Sequence, residues 1–358
     1  MDSANRSDKT PTDARIETAV KMTAPGTALR KALDMIIAGH LGALICVGDT
    51  ENVLAAGADG FALDVSFTAN RLFELCKMDG AVIIDKDLTR IVRANYHLNP
   101  DPSLPTTETG TRHRTAARMS LLTSAMVISV SERRSVVNVY IDGHGFQLQP
   151  VSELMSVVNQ LTAAMQNTRS QLDRSLQHLT SLELDNFVTL GDVVNVFYLF
   201  EVLMTAGEEL DRCIFQLGTD GRITEMQREE FIGGMDEEYT LTIRDYAKDS
   251  SEESARAIRK KFHEMANSQL RSAKTVAKTL GYDESWTEDT IMTPLGLRTL
   301  SRVSVIREGM ADKIVDEYGS LQEVLEAAED DSSKLGEMGV SNPGALANSL
   351  HRMWGNGE

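Results

Sequence analysis

Two short segments carry residue types that handle phosphate. Lys77-Met78-Asp79-Gly80-Ala81 sets a carboxylate beside a residue without a side chain, just ahead of an apolar run. A carboxylate is a hard oxygen ligand suited to Mg2+ or Mn2+. The glycine lets a phosphate and a metal approach the backbone closely. Asp-Gly is also a common turn dipeptide, so this segment alone reads equally as a structural turn. The second segment, Glu108-Thr109-Gly110-Thr111-Arg112-His113-Arg114-Thr115-Ala116, follows a loop containing Pro100, Pro102 and Pro105 and opens a helical pattern. Helix N-termini favour negative side chains because of the macrodipole, yet Arg112, His113 and Arg114 crowd this one. An anion seated there would resolve the conflict, with backbone N–H groups and forked guanidinium donors to hold it. Thr111 and Thr115 add hydroxyls, and a solvated basic surface is the plainer alternative. Together the segments supply one carboxylate for a cation and one donor cluster for a polyphosphate. That is the equipment of phosphoryl or nucleotidyl transfer, where positioning and charge neutralisation do most of the catalysis. No Walker A lysine loop and no kinase signature is present.

These segments have to be positioned by a folded domain. Up to about Pro150, strand and helix patterns interleave. The strand candidates are residues 42–47, 81–84, 91–98, 127–130 and 136–141, with a turn at Asp142-Gly143-His144-Gly145 leading into a strand from Phe146 to Gln149. Residues 69–78 and 114–123 have helical spacing. The pattern predicts an α/β domain with a mixed, twisted sheet flanked by helices over 23–150. Residues 1–22 lack an apolar core and read as a flexible leader rather than a signal peptide. From Val151 to Asn186 no Gly or Pro intervenes, and Leu154, Val158, Leu161, Met165, Thr168, Leu172, Ser175, Leu179 and Leu182 recur at alternating steps of four and three, apolar except at Thr168 and Ser175. This predicts one long helix whose seam serves either intramolecular packing or self-association. Helical patterns continue to about residue 290, giving an all-α middle domain over 151–290. Met292-Thr293-Pro294 marks a boundary, and 291–358 reads as a small helical module around Ile314, Val315, Tyr318, Leu321, Val324 and Leu325.

Composition narrows the partners. With 36 basic and 53 acidic residues the net charge is −17, so any nucleic acid or nucleotide must be held by a local basic patch. Cys46, Cys76 and Cys213 are scattered and form no CxxC, which favours a reducing, cytoplasmic setting. No unbroken apolar run reaches the roughly 18 residues of a membrane span. The remaining histidines show no ligand spacing.

Asp79-Gly80-Ala81 and Gly110 to Ala116, about thirty residues apart, resemble the paired DGA and RHR motifs of the diadenylate cyclases. Phe187 to Leu190, Leu217 to Arg222 and Tyr318 to Leu325 extend the resemblance to the DNA-integrity-scanning, DisA-type branch of that family. The resemblance implies condensation of two ATP into cyclic di-3′,5′-AMP with release of two pyrophosphates. By position, Asp79 would bind Mg2+ or Mn2+ and help activate the attacking hydroxyl. Gly80 and Ala81 would lie against the nucleotide. Gly110, Thr111, Arg112, His113, Arg114 and Thr115 would hold phosphates and the leaving pyrophosphate, with Asp79, Arg112, His113 and Arg114 the catalytic set. Leu98 and Ser131 would contact the nucleotide, whereas the acidic Glu132 is left out of the site. A symmetric product made by half-sites implies two catalytic domains face to face, within a homo-oligomer that is octameric in DisA relatives, cytoplasmic or nucleoid-associated and without a membrane.

The family's last domain carries helix-hairpin-helix elements that bind duplex or branched DNA through glycine hairpins. Here Gly339 matches a hairpin glycine, but Glu337 stands where the first one belongs. From Ile291 onward, six basic residues face eleven acidic ones, which weakens the DNA expectation. Two other readings stay open: an ATP-sensing, DNA-scanning structural oligomer, and a nucleotidyltransferase that joins AMP to some other acceptor.

Overall fold

The computed structural model describes residues 10–283, 285–307, 309–330, 333–340 and 342–355. The chain divides into two compact units. One holds the chain up to Val158 together with Asp211–Glu225; the other holds Asn159–Leu210 and the chain from Met226 onward.

The first unit runs α1 (Pro11–Thr23), α2 (Ala28–Ala38), β1 (Ala43–Val47), α3 (Thr50–Ala55), β2 (Gly57–Ala58), β3 (Phe61–Ser66), α4 (Ala69–Leu75), β4 (Ala81–Ile84), β5 (Arg90–Leu98), α5 (Thr111–Leu122), β6 (Met126–Ser131), β7 (Val136–Ile141) and β8 (His144–Leu148). The eight strands form one sheet in the order β2-β5-β4-β1-β6-β7-β8, with β3 also on β5. β1 and β4 are parallel while β1–β6, β6–β7 and β7–β8 are antiparallel, so the sheet is mixed, as the pattern predicts.

Period-two alternation gives the sheet two cores. Ile45, Val82, Ile84, Ile128 and Val139 pack with Leu29, Leu33 and Ile36 of α2 and Leu72 of α4. Cys46, Ile83, Val127 and Tyr140 point the other way, onto Ala116, Ala117 and Met119 of α5. The second core holds α5 against the sheet with its N-terminus beside the strand ends. Asp142 and Gly143 both take positive φ, 50° and 79°, as a two-residue hairpin between twisted strands requires.

From Pro11 onward the expected flexible leader is instead an ordered helix. Thr10 caps α1 in a capping box, and Arg15 pairs with Asp142 and donates to Ser124 O at 2.7 Å. Helix α2 and strand β3 lie outside the elements assigned from sequence. In β3 the alternation is broken by a bulge between Ala62 and Val65, where Asp64 takes φ 48°.

Beyond the sheet come α6 (Val151–Leu184), β9 (Val188–Thr189), α7 (Leu190–Leu217), a 3-10 turn at Gly218–Gly221, α8 (Arg222–Ile232), α9 (Met235–Tyr246), α10 (Glu252–His263), α11 (Asn267–Leu270) and α12 (Ala273–Thr279). β9 pairs with β10 (Ile291–Met292), a two-residue bridge in an otherwise helical region. Leu154, Val158, Met165, Leu172 and Leu179 of α6 are buried within the single chain, so the intramolecular stripe accounts for the seam. One stretch within Leu190–Tyr246 has the length and mean hydropathy (1.3) of a membrane span, with 61% of it buried inside the protein.

The last segment folds as α13 (Leu297–Ser301), α14 (Met310–Tyr318), α15 (Leu321–Asp330), α16 (Ser333–Glu337) and α17 (Pro343–Gly355) around Leu300, Ile314, Leu321, Val324, Leu335 and Leu346. It is joined to α6 and α9 by a buried polar network. Arg298, fully buried, donates to Glu183 at 2.7 Å and to Thr180 at 2.9 Å. Asp245 accepts the backbone N–H groups of Gly296, Leu297 and Arg298 at 2.8, 2.6 and 3.0 Å, capping α13.

Candidate nucleotide site

A cavity of about 680 Å3 opens in the first unit where β5, β6 and β7 meet the N-terminus of α5. Gly80, Leu98, Gly110, Thr111, Arg112, His113, Thr115 and Ser131, all expected at the site, line it together. Gly80 is required by its surroundings. Its φ is +85°, and a Cβ there would lie 2.8 Å from the Asn95 carbonyl carbon and 2.9 Å from Tyr96 N. The Asp79-Gly80 turn is therefore structural and also delivers the cavity wall. Asp79 itself is exposed and lies outside the lining, next to Gly80.

Two expectations need correcting. The Ala81 side chain is wholly buried in the core under α5, so its methyl cannot face a ligand. Arg114 is exposed and outside the lining, because it falls on the outward side of the first helical turn.

Helix α5 begins at Thr111, three residues earlier than the spacing suggested, with Gly110 as N-cap. Helices α1, α2, α4, α10 and α12 are capped by the side chains of Thr10, Thr27, Thr68, Ser251 and Ser272. α5 has no side-chain cap and no acidic residue in its first turn. Its leading N–H groups, with Arg112 beside them, make a cationic end suited to an anion. The Arg112 guanidinium lies against Gly42, where a Cβ would come within 2.7 Å of its Cζ.

His113 is fixed by side chains that the sequence did not single out. Its Nδ1 is 3.0 Å from Tyr140 Oη and 3.3 Å from the Asn138 amide. Tyr140 in turn donates to Glu108 at 3.0 Å. Burial above all holds the imidazole below its ordinary range, with Arg112 and Arg134 adding to the effect and Glu108 opposing it. Burial, then Glu108, raises the Tyr140 hydroxyl, so it stays protonated and can donate.

Tyr96, His97, Glu108, Asn138, Arg133 and Arg134 also line the cavity, as does Glu132, which had been left out. Glu108 opens the second segment and Arg133-Arg134 follow closely on Ser131, so all three were open to being read. Asn138 and Tyr140 are brought in by the β6–β7 register, which sets them opposite Ser129 and Val127.

Among the described residues, no group of three or more His, Cys, Asp or Glu could cage a metal. Asp79, an exposed carboxylate beside the cavity that Glu108 and Glu132 line, fits the Mg2+-type pattern, in which one or two carboxylates and the nucleotide's own oxygens share the ion. Gly339, in the C-terminal module, has φ +100° and donates its N–H to Gly336 O at 3.0 Å.

Residues 30–145 match the family model described as the DisA bacterial checkpoint controller nucleotide-binding domain. Residues 148–288 match the DisA bacterial checkpoint controller linker region. The DNA integrity scanning protein DisA of Streptomyces avermitilis is 36% identical over 345 residues, covering 95% of this chain and 92% of the relative. That of Symbiobacterium thermophilum is 38% identical over 334 residues, covering 93% and 94%. An uncapped, arginine-flanked helix end facing a glycine turn, on a chain matched almost end to end by these relatives, places this protein in the DisA family, with a nucleotide-binding domain of the diadenylate cyclase type.

Proposed function

We propose that the protein condenses two ATP into cyclic di-3′,5′-AMP. Each 3′-oxygen bonds to the α-phosphorus of the other nucleotide, the bond to pyrophosphate breaks, and each 3′-hydroxyl gives up its proton. The observation that carries this reading is the cavity itself, where the Gly80 turn and the uncapped end of α5 line one space. Arg112, His113, Thr111 and the first amides of α5 would take the phosphates and the leaving pyrophosphate. Leu98 and Ser131 would flank the nucleoside. Asp79 would hold Mg2+ or Mn2+, and the bound ion would neutralise phosphate charge and favour hydroxyl ionisation.

One chain carries one such site, and a product with two equivalent halves needs two sites facing each other. We therefore read the working form as a cytoplasmic homo-oligomer, octameric as the resemblance implies. Coupling to DNA is supported by the relatives' name, DNA integrity scanning protein. A phosphate contact through the Gly339 amide would require its bond to Gly336 O to open.

Incubating the protein with ATP and Mg2+ or Mn2+ and weighing the products tests the proposal. Cyclic di-AMP with two pyrophosphates is expected. An AMP–acceptor conjugate would point to another nucleotidyltransferase. ATP bound but unconverted under both metals would leave the ATP-sensing, DNA-scanning reading.

A further inference from the structure

The chain Glu108–Tyr140–His113 reaches from a loop, through a core residue of β7, to the first turn of α5. Tyr140 has a single hydroxyl hydrogen, and it goes to Glu108 at 3.0 Å. The 3.0 Å contact with His113 Nδ1 must then be donated by the imidazole, and the Asn138 NH2 group, a donor 3.3 Å from the same nitrogen, gives its hydrogen to Tyr140 Oη instead. That leaves Nε2 as the ring nitrogen open to a ligand in the cavity His113 lines.

We propose that Glu108 and Tyr140 are positioning residues that lock His113 with Nδ1 as donor, so that the ring takes up one proton from solvent when a triphosphate enters. The reasoning is chemical. A phosphate oxygen accepts and cannot donate, so an Nε2 facing it has to carry a hydrogen. Nδ1 already carries one, so the ligand-bound ring is an imidazolium, and Tyr140 and Glu108 relay its new charge to a carboxylate. The charged groups acting on the ring are Glu108, Arg112 and Arg134, with Glu132 and Arg133 also on the cavity wall. Burial first, and then Arg112 and Arg134, disfavour the protonated ring in the empty site against the pull of Glu108, and an arriving triphosphate offsets them. The inference deepens the cyclase reading, since the same imidazolium would then sit on the departing pyrophosphate.

The test separates binding from turnover by using 3′-deoxy-ATP, which lacks the attacking hydroxyl. Titration calorimetry in buffers of differing ionisation enthalpy, at about pH 7.5 and so above the ordinary imidazole range, should show close to one proton taken up per nucleotide by the parent. His113→Ala should abolish the uptake and Tyr140→Phe should reduce it. Tyr140 is 1% exposed and phenylalanine keeps its ring, so an unshifted melting temperature checks the fold. In turnover, Tyr140→Phe should lower kcat/KM for ATP about tenfold, the worth of one charge-assisted hydrogen bond, with part of the loss in KM because the imidazolium it supports forms on binding. Adding Glu108→Gln should cost little more, since both act on one ring. Uptake that is absent in the parent, or unchanged in His113→Ala or Tyr140→Phe, overturns the inference. A parent that takes up the proton but makes no cyclic dinucleotide sinks the cyclase reading and leaves the inference standing. A parent that cyclises ATP while Tyr140→Phe changes neither proton uptake nor turnover does the reverse.

Discussion

Gly42 stands outside both phosphate-handling segments, yet the structure gives it control over Arg112. A Cβ at Gly42 would fall 2.7 Å from Arg112 Cζ and 2.9 Å from Nη2, with Nη1 closer still. Ordinary contact needs about 3.5 Å, so Gly42→Ala pushes the guanidinium away by on the order of 1 Å. The obstacle is the tip of a flexible side chain rather than backbone, and the helix and sheet need not move. The fold should thus be nearly unaffected, with a melting temperature within about 2 °C of the parent, a shift that corresponds to under 1 kcal/mol. The guanidinium, however, would leave the place beside the N-terminus of α5 from which we propose that it reaches the phosphates. A hydrogen bond to a charged group is worth about 1.5–3 kcal/mol, which predicts a fall of about 10- to 150-fold in kcat/KM for ATP. Steady-state cyclic dinucleotide production over a range of ATP, beside a melting curve, measures both quantities. A variant within about twofold of the parent in kcat/KM would refute the role assigned to Arg112. A loss of activity that merely tracks a loss of fold would refute the argument that the side chain alone gives way.

Further outcomes follow from the same geometry. Asp79→Asn should abolish product in Mg2+ or Mn2+ while leaving melting and oligomeric state unchanged, because Asp79 is exposed; normal turnover would remove it from the metal role. Gly80→Ala should unfold at lower temperature, since its φ of +85° and the Asn95–Tyr96 backbone leave no room for a methyl group; an unchanged melting curve would contradict that. Arg298→Met should cost about 3–5 kcal/mol in denaturant unfolding, because it leaves Glu183 buried without its partner. The Asp245 carboxyl is pushed up to about 7 by burial and then by Glu183, against an unfolded carboxyl near 4. The folded state therefore keeps a proton that the unfolded chain has lost, and this contribution, complete below about pH 4, disappears as pH rises through 7. The melting temperature of Asp245→Asn relative to the parent should accordingly climb between pH 5 and 8, and a flat difference would show that the carboxyl is ionised throughout.

What the sequence determined by itself was local. Asp79-Gly80 and Gly110 to Thr115 carry their chemistry in adjacent residues. The strands at 81–84 and 136–141, the hairpin at Asp142-Gly143 and the unbroken helix from Val151 announce themselves through short-range periodicity and turn chemistry, which need no partner to be read. From Pro11 onward the leader was misjudged, its first nine residues lying outside the described ones, because the value of α1 lies in long-range contacts, Arg15 with Asp142 and Ser124, that leave no apolar stripe strong enough to notice. Ala81 and Arg114 were placed in the site by the motif resemblance, but alternation along β4 turns one inward to the core, and the helical turn carries the other outward. Only the tertiary structure decided that Gly42 limits Arg112 and that Glu108, Tyr140 and Asn138 govern His113. Glu108 apart, which stands five residues ahead of His113, those residues are separated along the chain and meet through strand register and helix docking, and a hydrogen bond between distant residues is written in the packing rather than in either neighbourhood.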